Sequence, residues 1–161
     1  MALDTFVAGR YSTTYNSVDV GITEEGYELQ QDAKAQQIVP SDAYGDSIID
    51  LVYRGGDVYL QFEGKAYKAG AITPFWPWGA LGVMGIIGRL ASAVALSTVM
   101  TATTGTPAAA APATWTGLLS ILAPNNPARL LYNSKLRTVP IRLLILPGDS
   151  GGGVIKWFTQ T

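Results

Sequence analysis

The run Gly148-Asp149-Ser150-Gly151-Gly152 reproduces the surroundings of an activated serine nucleophile. A serine hydroxyl becomes a good nucleophile only beside a base, most often an imidazole held in place by an acid. The chain has no histidine, so that relay cannot form. Lys135 and Lys156 leave a serine–lysine dyad formally open, but no spacing specifies one. A glycine-rich turn between two C-terminal strands is the expected role of the run. Asp42, Asp46 and Asp50 recur every four residues, which on a helix would line up oxygens for a hard cation. Gly45 and the β-branched residues from Ile48 instead predict a solvated acidic loop entering a strand. Cysteine is absent, which excludes disulfides, thiolate metal sites and thiol nucleophiles. No phosphate-binding glycine loop is present. The residues therefore predict neither an enzyme nor a cofactor.

Charge is scarce and unevenly placed. Charged residues make up 14% of the 161, against a usual share of about 25%. Residues 1–68 carry eleven acids and five bases, a net −6, whereas residues 69–161 carry one acid and six bases, a net +5. Copies with one acidic and one basic surface complement each other, and such complementarity sets orientation and register. The overall charge of −1 argues against a dedicated nucleic-acid binder. The opening Met1-Ala2-Leu3-Asp4 lacks the basic and apolar stretches of a secretory signal.

One domain is expected over residues 1–161. Between Lys68 and Arg129 the only charge is Arg89. Residues 69–88 are long enough to cross a bilayer. Pro74, Pro77 and glycines 79, 82, 85 and 88 argue for a buried or assembly-facing segment instead, with a membrane protein as the residual alternative. Phe75, Trp76 and Trp78 suit core packing or a docking knob. Segment 70–91 receives no assigned structure.

Most of the positioning elements read as strands. Ile49, Leu51 and Tyr53 alternate with Asp50, Val52 and Arg54, and Val58, Leu60 and Phe62 with Tyr59, Gln61 and Glu63. Gly55-Gly56 between them predicts a tight hairpin turn. Glu25-Gly26 predicts a turn into Tyr27–Gln31. Ile141, Leu143 and Ile145 form a strand begun at Pro140, and Val154–Phe158 closes the chain. Residues 86–103 suit a helix in their first half and a strand in their second. Trp115, Leu118, Leu119 and Leu122 fall at i, i+3, i+4 and i+7, which with Thr114 as cap and Pro124 as stop predicts a short helix over 115–123. The expected fold is mainly β: an antiparallel β-barrel or sandwich with one short packed α-helix.

The order of these pieces resembles the tail tube (major tail) proteins of long-tailed bacteriophages. The likeness lies in Val20-Gly21-Ile22, Glu25-Gly26-Tyr27-Glu28-Leu29, Ile38 through Ser41-Asp42-Ala43-Tyr44-Gly45-Asp46, Ile49-Asp50, Gly55-Gly56 and Val58–Glu63. It continues in Leu96–Thr101, Gly105-Thr106-Pro107, and Arg137–Ile141 leading to Leu146-Pro147. The resemblance implies a virion protein, assembled in the host cytoplasm, that forms stacked six-membered rings. Its partners would be copies of itself, the tape-measure and other tail proteins. DNA would pass transiently through an acidic lumen without specific binding. Asp42, Tyr44 and Asp46 would make ring-to-ring contacts, and Asp50, Arg54, Tyr59, Gln61 and Glu63, on a hairpin over 48–63, would line the inner wall. A neck, tail-terminator or capsid-surface protein is the alternative of the same class.

Overall fold

The computed structural model describes residues 11–38, 48–66, 88, 90–103, 114–124, 138–149, 153 and 155–161. Among these residues ten antiparallel strands run in chain order: β1 Tyr11–Tyr15, β2 Val18–Asp19, β3 Ile22–Ile38, β4 Asp50–Ala66, β5 Leu96–Ala102, β6 Thr114–Leu122, β7 Val139–Leu146, β8 Gly148–Asp149, β9 Ile155–Lys156 and β10 Phe158–Gln160. Seven of them lie in the order β2-β1-β5-β6-β7-β4-β3, and β10 joins the same sheet beside β6. The mainly-β expectation holds. The sheet is not closed into a barrel: among the described residues no pairing joins β2 to β3 at its two ends.

The core lies on one face, where strand alternation delivers its apolar residues. Val58, Leu60 and Phe62 of β4 meet Ile141, Leu143 and Ile145 of β7, with Leu60 and Leu143 wholly buried. Trp115 of β6 packs on Phe158 of β10 and Tyr27 of β3 on Phe62, each ring pair 5.2 Å apart between centroids. Tyr15 is buried with them and its hydroxyl donates to the Ser120 carbonyl at 3.3 Å. Burial pushes that phenol up to about 12. Pro140 stands second in β7, where the missing N–H costs least.

The helix expected over 115–123 is instead strand β6. Trp115 faces Met100 of β5, while Leu119 and Ile121 face Leu146 and Leu144 of β7. From Gly117 to Ser120 the chain advances three residues while its partner β5 advances two, from Thr98 to Leu96. This bulge shifts the apolar phase by one residue, so two faces of a strand together imitate a 3.6-residue stripe. Of the ambiguous segment 86–103, Leu96–Ala102 is strand and Ala91–Ala93 a 3-10 turn.

The tight hairpin predicted at Gly55-Gly56 is also corrected. β4 runs straight through both glycines and pairs along its length with β3. Ala33 faces Gly56 and Ala35 faces Tyr53, so β4 carries one extra residue here, at a bulge where Gly55 adopts φ +103°. The positive φ that suits a hairpin turn suits a bulge equally. Gly26, at φ +92°, likewise sits in an irregularity inside β3 rather than in a turn before it. The tight turn lies elsewhere, at Asn16 and Ser17 (φ 51° and 62°), between β1 and β2.

Candidate assembly surface

β3 and β4 are 17 residues each, far longer than their neighbours. β7 covers β4 only from Val58 to Gly64. Residues 32–38 and 50–57 therefore leave the sheet as a two-stranded arm, held at its far end by the Ile49 N–H donating to the Ile38 carbonyl at 3.2 Å. An isolated two-stranded ribbon is marginal in water. This one carries large apolar residues on both faces: Leu51 and Tyr53 on one, Ile38 and Val52 on the other. All four are exposed, Leu51 by 56% and Tyr53 by 63%. Ile48 and Ile49 beside them are each 52% exposed.

The Gly55 bulge also sets which side chains share a face. Cross-strand partners point the same way, and the registers Gln30–Tyr59, Glu28–Gln61 and Ile38–Asp50 place even-numbered Asp50 with odd-numbered Tyr59 and Gln61. Alternation adds Arg54 and Glu63. The five residues expected on an inner wall thus do share one face of β4, although no hairpin over 48–63 produces it. Glu28, Gln30, Asp32 and Lys34 of β3 and Arg142 of β7 extend this polar face.

The polar face is knitted together. The Gln61 amide donates to Glu28 Oε2. The Arg142 guanidinium lies 4.1 Å from the Tyr59 ring centroid and donates to Gln30 Oε1 at 3.2 Å. Lys34 Nζ contacts Asp57 Oδ2 at 2.5 Å, and that carboxylate holds the ammonium pKa above its ordinary value through a hydrogen bond and charge attraction. Carboxylates remain in excess: Glu24, Glu28, Asp32, Asp50, Asp57 and Glu63 against Lys34, Arg54, Lys65 and Arg142.

Asp42, Tyr44 and Asp46 lie outside the described residues, as do Ser150 and the aromatic group 75–78. Asp149 pairs with Ile155 across the expected C-terminal turn, where Gly153 has φ +77°. Among the described residues no acidic group is arranged to hold a metal ion, and no helix is long and apolar enough to cross a membrane. Sequence reasoning missed the arm. The phase change from odd-numbered Leu51 and Tyr53 to even-numbered Val58, Leu60 and Phe62 across two glycines fits a two-residue hairpin and a one-residue bulge equally, so no local signal announced it.

No protein-family model and no curated protein matches the chain.

Proposed function

We propose that this chain is a structural virion subunit that assembles with copies of itself into rings, stacked as the tail tube through which phage DNA passes. One observation carries the reading: a two-stranded arm that leaves the sheet with large apolar side chains exposed on both faces. Contiguous exposed apolar surface marks an interaction site, and a ribbon apolar on both sides needs cover on both. The open sheet adds to this, since β3 has a strand neighbour on one edge only among the described residues. Unpaired edges template pairing with another chain, and a repeated head-to-tail contact yields rings when its rotation closes. The excess of carboxylates on the polar face fits a lumen that repels phosphate and lets DNA slide. Negative-stain electron microscopy of the purified protein over a concentration series tests the reading. Rings or tubes are expected. Monodisperse monomers at every concentration would overturn it.

A further inference from the structure

At the base of the arm lies a cleft of about 520 Å³, within the range of ligand-sized pockets. The cross-strand pair Ala33 and Gly56 lines it with residues too small to fill it. The Tyr53 hydroxyl stands 3.2 Å from where a Gly56 Cβ would be, so this side chain lies along the same trough. Trp157 and Phe158 line it from the C-terminal corner. Tyr53 is largely exposed, and Trp157 and Phe158 are half-buried although both pack on the core.

The lining also supplies four hydrogen-bond donors: the Gln31 amide, the Tyr53 hydroxyl, the Trp157 indole N–H and the Lys156 ammonium. None of these side chains has a hydrogen-bond partner among the described residues. Charge selects no ion. Asp32 and Asp57 line the cleft too, but as the pair next to Gln31–Val58 they alternate onto the polar face, where Lys34 holds Asp57. Against Lys156 and Lys34 these two carboxylates leave no net charge. The matching ligand is therefore uncharged, apolar along its sides and rich in acceptors. A proline-rich segment in the polyproline II conformation meets each condition. Its rings pack into aromatic-lined grooves. Its carbonyls have no partner within the helix and accept from the groove, while proline brings no N–H that needs an acceptor.

We infer that this cleft docks a proline-rich polyproline II segment of a partner protein. Over three turns of such a helix, about nine residues, this chain nowhere holds three prolines, so the segment belongs to another protein.

Isothermal titration calorimetry with a peptide of about ten prolines, roughly three turns, tests the docking. Saturable binding is expected for the unmodified protein, and none for a glycine–serine peptide of equal length. Tyr53→Ala and Trp157→Ala should each weaken binding about 30-fold, the loss typical of an aromatic hot spot, with circular dichroism spectra unchanged. Tyr53 is exposed, so its variant decides the matter if Trp157→Ala fails to fold. No saturable heat, equal binding of the glycine–serine peptide, or full affinity in Tyr53→Ala would each overturn the docking. So would an affinity for the proline peptide that falls as subunit concentration rises, because a second copy would then hold the cleft.

Discussion

Replacing Ile49 and Leu51 by serine separates the energetics of assembly from those of folding. In the subunit these side chains are 52% and 56% exposed, so about half of each is still open to a partner. Burying an isoleucine or leucine completely is worth about 1.5–3 kcal/mol. The half still exposed therefore holds about 1 kcal/mol per residue for a partner. Losing both costs about 2 kcal/mol per arm, or roughly a 30-fold weaker contact at about 1.4 kcal/mol per tenfold. The rigid-body cost of association, which spoils absolute conversions of area to affinity, cancels between the two proteins compared. Sedimentation velocity across a dilution series should show the assembly midpoint rising roughly 30-fold. Thermal unfolding monitored by circular dichroism should show the variant folded and less stable by no more than about 2 kcal/mol, the share of the two side chains that the subunit itself buries. An unchanged midpoint would refute the reasoning. So would a midpoint that moves only in step with lost folding stability, because the arm would then serve its own subunit.

Three further outcomes follow from local geometry. Tyr15 holds its proton to about pH 12 when folded but releases it from about pH 10 when unfolded. The native state thus binds more protons across that window, so stability is intact below pH 10 and falls by about 3 kcal/mol towards pH 12; denaturant titrations should show Tyr15→Phe lacking this step. Ser17 occupies φ 62°, where a side chain costs roughly 1 kcal/mol, so Ser17→Gly should raise the unfolding midpoint by a comparable amount. At Gly56 an added Cβ would stand 2.4 Å from the Asp32 carbonyl oxygen. That neighbour is backbone and cannot swing away, so Gly56→Ala should cost about 1–3 kcal/mol in urea unfolding.

The legible strands were those with one buried face. In β7 burial alternates residue by residue along its apolar run, so the odd-numbered pattern of Ile141, Leu143 and Ile145 announced both strand and core. The same rule failed on β6. That strand is paired along both edges, and its bulge moves from Trp115 and Gly117 to Ser120 in three steps. Leu119 and Ile121 then fill the opposite face, and alternation gives way to a false helical stripe. Tertiary pairing decided the outcome, since the strands that complete β6 lie at 96–102, 139–146 and 158–160, beyond any local window.

The Gly55-Gly56 error is more instructive, because it concealed the candidate site. A hairpin turn and a bulge both require a residue with positive φ, and glycine supplies it in either. The two readings differ in where the partner strand lies. For a turn it lies just across the glycines; for the bulge it lies at residues 22–38. Phase does not separate them. A two-residue loop at Gly55-Gly56 would pair Asp50 with Gln61 and Val52 with Tyr59, so it too puts even-numbered residues before the glycines on one face with odd-numbered residues after them. Across a one-residue bulge in a continuous strand, even-numbered residues before it must join odd-numbered residues after it, which is the observed arrangement. The consequence is mechanical as well as chemical. A hairpin ending at Gly55 would have paired Leu51 and Tyr53 with Leu60 and Val58 inside the sheet. A strand that bends and continues carries them past the end of β7, where β3 is their one strand neighbour among the described residues.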